Sequence, residues 1–245
     1  MSNSMGLPIK TGYLIKNDAY TKRVGCDGRT VEVEVGDEKQ KGVFHPQLKM
    51  KLFNNLINYS ARYDTKGKEG KNTVENGKLL YDIGDEVVEM FETTNGFEIA
   101  VSLKSKPATN VFGFTIETKD VVFYYQPDIE KLPPEERAKH PEHVEQPENI
   151  KGSYAVYAAR KPNGVDPDEF KSGKVGHIYR PYAEDANGVR VWCELHIDAD
   201  KKLMTVTAPQ DFLDSATYPV FIDPDFGYTT IGGTSLGVYA STKNW

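Results

Sequence analysis

Apolar and polar residues alternate with a period of two along most of this chain. Val31, Val33 and Val35 give a first short run, closed by a turn at Gly36-Asp37. Leu48, Met50 and Leu52 alternate with lysines, and Ile57, Tyr59, Ala61 and Tyr63 keep the same period. Residues 78–83 and 86–91 read as short strands flanking Gly84-Asp85. Thr94-Asn95-Gly96 follows; Asn-Gly between alternating segments predicts a hairpin, because both central residues tolerate positive φ. Phe97, Ile99, Val101 and Leu103 then alternate with Glu98, Ala100, Ser102 and Lys104, and Phe112, Phe114 and Ile116 form the next apolar face. Alternation gives a strand one wet face and one core face. Residues 121–125 are apolar throughout, which predicts a strand buried on both sides.

Two stretches break the pattern. Residues 67–77 read as a polar, Gly-rich loop, with Lys66, Lys68 and Lys71 as a small solvated basic cluster interrupted by Glu69. Residues 127–149 hold five prolines and many charges. Proline removes ladder donors and fixes φ, so this is a long surface excursion with room for one helical turn after Pro134. Strands resume at 153–159 and 176–182. Val189, Val191, Cys193, Leu195 and Ile197 form the clearest core face. Residues 203–207 and 218–222 are the last two strands, with one helical turn at 209–214 between them.

No segment sustains a 3.6-residue apolar period. Short strands with turns every 8–12 residues predict an all-β fold, an antiparallel β-sandwich of jelly-roll-like kind. Its core spans 41–224 and includes the Pro-rich excursion at 128–150. An N-terminal arm with a short strand (1–40) and a Gly/Thr/Ser-rich C-terminal arm (225–245) flank it. One core is preferred to two, because neither half has enough strands to cover its own apolar faces.

The 245 residues carry a net charge of −6. Binding of nucleic acid or of a membrane surface needs clustered Lys and Arg, so neither is predicted. No apolar run approaches the roughly 18 residues of a membrane-crossing helix. The first ten residues lack a charged segment followed by an apolar one, which predicts translation into the cytoplasm. The two cysteines, Cys26 and Cys193, lie far apart and lack CxxC spacing. This argues against a disulfide scaffold and against structural zinc, and Cys193 reads as a buried free thiol.

Several segments together resemble a module of uncharacterised surface and virion proteins of phages and bacteria. They are Phe44-His45-Pro46-Gln47-Leu48, Phe114-Thr115-Ile116-Glu117-Thr118, Phe123-Tyr124-Tyr125-Gln126-Pro127, Gly152-Ser153-Tyr154-Ala155-Val156-Tyr157 and His177-Ile178-Tyr179-Arg180-Pro181. The ending, residues 218–228, is the most specific: it fits a Tyr-Pro-Val-x-Ile-Asp-Pro motif that closes β modules in long surface proteins. The resemblance covers roughly residues 43–231. It implies a structural or adhesive part and supplies no catalytic residues.

Chemistry-bearing residues are sparse. Period two places Trp192, Glu194, His196 and Asp198 on one side of a single strand over 189–197, with His177, Tyr179 and Arg180 as neighbours. A carboxylate, an imidazole and an aromatic platform suit sugar binding, and Trp192, Glu194, His196, Tyr179 and Arg180 are the candidate glycan face. Glu194 and Asp198 lie roughly 13 Å apart on an extended strand. A retaining glycosidase needs two carboxyls about 5–5.5 Å apart. The bland alternative is an ordinary polar sheet face. His140 and His143 lack a third nitrogen ligand, and 166–169 lacks the calcium-loop pattern, so no metal or other cofactor is predicted. Nucleophile and nucleotide-loop motifs are missing, and no catalytic residues are assigned.

The expected function is therefore structural. The chain reads as a decoration, fibre or tail component of a phage virion, assembled in the host cytoplasm and binding other virion subunits in a homo- or hetero-oligomer through its arms. The alternative is a carbohydrate-binding or carbohydrate-active β-sandwich module of a surface protein.

Overall fold

In a computed structural model of the chain, residues 14–16, 19–26, 29–93, 96–139, 146–165 and 173–227 are described. The first half runs β1 (Leu14–Lys16), β2 (Ala19–Cys26), β3 (Arg29–Val35), β4 (Gln47–Leu52), β5 (Ile57–Tyr63), β6 (Lys71–Glu75), β7 (Lys78–Asp82), β8 (Glu86–Glu92), β9 (Gly96–Leu103) and β10 (Val111–Lys119). The second half runs β11 (Val121–Gln126), β12 (Ser153–Ala158), β13 (Lys174–Ile178), β14 (Tyr182–Glu184), β15 (Arg190–Trp192), β16 (Glu194–Asp198), β17 (Leu203–Thr207), β18 (Val220–Asp223) and β19 (Asp225–Gly227). The two helical turns fall where expected, at Pro134–Arg137 and Gln210–Ser215.

All strand pairs among the described residues are antiparallel, and they make two sheets in a sandwich-like arrangement. The first is ordered β1-β2-β3-β4-β5-β10-β17-β16. The second is ordered β11-β12-β13-β19-β9-β18-β14-β15, with β8, β7 and β6 added in turn on the other side of β9. One core lies between them. Val33, Met50, Tyr59, Phe114 and Val206 come from the first sheet, and Ile99, Met90, Val156, Ile222 and Phe226 from the second. The inward set is the one that alternation marks out, because a period of two sends every second side chain to the same face.

Five local expectations are corrected. Residues 14–35 supply three strands of the first sheet, well beyond one short strand in an arm. Residues 71–75, expected as loop, form β6, which hairpins into β7 through Asn76 and Gly77, both at positive φ. Residues 121–125 are not buried on both sides. Among the described residues β11 pairs only with β12 and lies at a sheet edge, with Val122 and Tyr125 exposed. The lysine side of β4 is not wet: Lys49 and Lys51 are buried. Lys51 is held by Glu34 at 2.5 Å and by Glu32 and Glu38 at 3.1 Å each. Alternation reports polarity, and three carboxylates converging on one ammonium allow a charged position to be covered.

The fifth correction concerns 189–197. The chain does not run there as one strand. It leaves the second sheet after Trp192 and enters the first at Glu194, with buried Cys193 as the crossing point. Leu195 and Ile197 are core as expected, but Val189 is exposed and Val191 only half-buried.

The strand 220–227 shapes the site. β18 and β19 pair with β9 in a single register, Ile222 opposite Val101 and Asp225 opposite Glu98. On their other edge the sheet forks: β18 pairs with β14, and β19 with β13. The fork is bridged by the corner Tyr179-Arg180-Pro181, pinned where Tyr179 N–H donates to Asp225 O, Arg180 N–H to Asn149 O and Cys193 N–H to Pro181 O. The C-terminal arm predicted from residue 225 thus begins with three residues of sheet. The rest of it, 228–245, and residues 1–13 lie outside the described residues.

Candidate ligand-binding clefts

Ile222, Pro224 and Phe226 occupy the inward phase of 220–227, so Asp223 and Asp225 take the outward phase. Register places Glu98 directly across from Asp225, and directly opposed residues have Cβ atoms about 4.5–5.5 Å apart. Tyr182 pairs with Asp223 and with Trp192, which extends the same face across β14 and β15. The result is a cleft of 420 Å³ over the fork, lined by Glu98, Asp223 and Asp225 at its base. Tyr179, Tyr182, Trp192, Arg180, Arg190 and Glu148 are among its walls.

The three carboxyls shift one another. Burial raises Glu98 far above the usual carboxylate range, and the charges of Asp223 and Asp225 push it further. Burial likewise raises Asp223, against the hydrogen bonds that it receives from Tyr182 and Glu98. Burial and the neighbouring Asp223 charge push Asp225 up to about 7. Glu98 is therefore protonated at neutral pH and donates to Asp223. Oδ1 of Asp223 and Oδ1 of Asp225 are buried without a donor. Buried acceptors are normally paired, so two orphans in one cleft are an unmet demand for hydrogen-bond donors.

The cations on the walls are engaged elsewhere. Arg190 pairs with Glu184 and stacks on the Tyr182 ring, 4.0 Å from its centroid. Arg180 lies 5.3 Å from the Trp192 ring centroid and 3.7 Å from Glu148. Tyr182 and Trp192 meet edge to face at 6.3 Å. Tyr179 is seated by a glycine: a Cβ on Gly227 would fall 2.7 Å from its ring, so a side chain there would displace it.

A second, larger cleft of 790 Å³ adjoins the first at Arg180, which lines both. It lies under the Pro-rich excursion, with Pro127, Asp128, Lys131 and Leu132 on one side and Glu194, His196 and Thr207 on the other. The five predicted glycan-face residues are thus divided. Trp192 and Tyr179 line the carboxyl cleft, Glu194 and His196 the cleft under the excursion, and Arg180 both. The crossing at Cys193 separates them.

Glu98, Asp223, Asp225, Tyr182, Glu148 and Arg190 were not singled out from the sequence. The signal was present for three: Glu98 alternates with Phe97 and Ile99, and Asp223 and Asp225 alternate with Ile222 and Phe226. What one strand cannot reveal is that these two outward phases lie side by side.

One buried pair has the composition of a nucleophile site without its chemistry. Ser153 Oγ lies 2.7 Å from His177 Nε2, and both residues are fully buried. Ser153 already donates its single hydroxyl proton to Ile150 O at 2.6 Å. His177 then donates from Nε2, which leaves Nδ1 as the bare nitrogen, buried with no partner. An imidazole in that tautomer cannot take the serine proton. Burial, with the Lys174 charge second, holds His177 well below its ordinary value and keeps it neutral.

Among the described residues, no group of three or more His, Cys, Asp or Glu side chains is placed to hold a metal ion, and no helix is long and apolar enough to cross a membrane. His140, His143 and residues 166–169 lie outside the described residues. No family model, no curated protein and no solved structure matches the chain.

Proposed function

We propose that this protein is a carbohydrate-binding β-sandwich module of a surface assembly, with its ligand seated in the cleft over the fork of the second sheet. The observation that carries this reading is the convergence there of three aromatic rings with planar charged groups. Sugars present an apolar C–H face and a rim of hydroxyls. Aromatic rings suit the first, and carboxylates and guanidiniums suit the second. The test is binding to a glycan array followed by calorimetry on the best ligand. Trp192→Ala is expected to weaken binding by at least about tenfold, the scale of a lost aromatic anchor. Binding that ignores Trp192, or no binding to any glycan, counts against the reading.

A second reading has its own support. A structural component of a phage virion, with a jelly-roll-like sandwich and arms that reach neighbouring subunits, is favoured by the edge strand β11. Val122 and Tyr125 are 39% and 51% exposed there. Among the described residues, no strand is paired with the outer edge of β11. An exposed apolar edge is a template for an added strand. Light scattering on the full chain tests it: oligomers that dissolve in Val122→Lys or on removal of residues 1–13 or 228–245 support it. A monomer at all concentrations refutes it.

A further inference from the structure

We propose that the carboxyl cleft selects amino sugars: its ligand carries a protonated primary amine that docks between Asp223 and Asp225. This rests on the carbohydrate reading above and names the substrate class of the same site. Three observations converge on it.

The first is the unmet demand. Asp223 is only 4% exposed, lines the cleft and has an oxygen with no donor; Asp225 Oδ1 is in the same position beside it. A carboxylate that lines a cleft and has an oxygen short of a donor is left under-satisfied by the fold, and a ligand in the cleft can bring the donor. An ammonium brings three donors and a charge on one compact atom. A sugar hydroxyl brings one donor and no charge.

The second is the balance of charge. Around the cleft, Glu148, Asp223 and Asp225 are the carboxyls that can carry charge at neutral pH, Glu98 being protonated, and two guanidiniums (Arg180 and Arg190) face them. Each guanidinium is already drawn to a carboxylate at the rim, Arg180 to Glu148 and Arg190 to Glu184. Lys78, whose charge is felt at Glu98 and Asp223, is tied to Glu89 at 2.8 Å. Among the described residues, no cation forms an ion pair with Glu98, Asp223 or Asp225. The carboxyls are not arranged as a metal site among the described residues, so an organic cation fits better than a divalent ion.

The third is the wall. Tyr179, Tyr182 and Trp192 stand around the carboxyls. They offer ring edges and faces to the pyranose that carries the amine, and ring faces also favour cations.

Calorimetry on the full chain at pH 7 separates the possibilities. The probes are glucosamine oligomers, the same oligomers N-acetylated, and neutral glucose oligomers with the same linkage. The amine series is expected to bind about tenfold more tightly than the acetylated series, as a charge-assisted hydrogen bond requires. In Asp223→Asn the ratio of amine to acetylated affinity, both measured on the variant, should fall to about one. Asp225→Asn provides the same test if Asp223→Asn fails to fold. Binding of the amine should also release protons to the buffer, since the ammonium displaces those held by the carboxyls. If acetylated or neutral oligomers bind as tightly as the amine and still depend on Trp192, the amine specificity is wrong and the carbohydrate reading survives. If no oligomer binds, both fall.

Discussion

Neutralising Asp225 should stabilise the fold, and more so as pH rises. Its carboxyl is carried from an ordinary 3.8 to about 7 by burial and by the charge of Asp223. A raised carboxyl leaves the folded state unpenalised below the unfolded value. Stability is lost progressively as pH climbs from about 4 through about 7. At about 1.36 kcal/mol per tenfold change in proton affinity, the full cost once ionised is about 4 kcal/mol. Part of that is already present at pH 5, and about 2.5 kcal/mol more accrues between pH 5 and pH 8. Asp225→Asn removes the charge and keeps an oxygen to accept from the Phe226 N–H. The assay is urea unfolding of the parent and the variant at both pH values. His177, held neutral in the fold, destabilises both proteins equally at pH 5 and cancels in the difference. Asp82, Asp185, Asp198 and Asp214 are held below their ordinary range, by hydrogen bonds above all, and stay ionised throughout this window. The variant's gain should therefore grow by about 2–3 kcal/mol from pH 5 to pH 8, with an unchanged m-value. An equal gain at both pH values, or no gain at pH 8, refutes the account of the cluster.

Other consequences are as direct. Lys51→Met strands the buried Glu34 carboxylate and should cost about 3–5 kcal/mol in urea unfolding. Adding Glu34→Leu should recover much of it. Cys193 is buried, and burial pushes its thiol up to about 12, so in a Cys26→Ser background the native chain should react with a thiol reagent only after denaturation. Gly227→Ala should push the Tyr179 ring out of its seat and weaken any ligand of the carboxyl cleft. Circular dichroism would show whether the sheets are retained.

The sandwich was legible because it rests on a local signal. Phe97 to Leu103 and Phe112 to Ile116 face inward as period two demands, whatever their partners. Charge covering charge was not legible. Lys51 reads as solvent-facing until Glu32, Glu34 and Glu38 are brought over it from neighbouring segments. The site was half legible. Trp192, Tyr179 and Arg180 were named from their residue types, whereas Glu194 and His196 were grouped with them on the premise of one unbroken strand. A crossing between sheets at a single residue leaves no mark in the alternation. Cys193 is apolar and buried as that phase requires, yet the residues on either side of it belong to different sheets.

Stability and the location of the carboxyl cleft bear on each other. Three carboxyls at the base of one cleft penalise the fold at neutral pH, and a single isosteric amide would remove much of that penalty. Sequences under selection for folding alone have an easy route away from such an arrangement. Places where a fold keeps a local cost without a visible structural return are where function is to be sought. The buried ion pairs at Lys51 have such a return, since one ammonium there draws in Glu32, Glu34 and Glu38. At Asp223 and Asp225 one oxygen of each carboxyl, Oδ1, finds no donor among the described residues. That contrast is the reason for proposing a ligand at the carboxyls and none at Lys51. The proposed ligand then sits at the fork in the second sheet, beside Asp223 and Asp225 of the 218–228 segment that is most specific as a sequence motif.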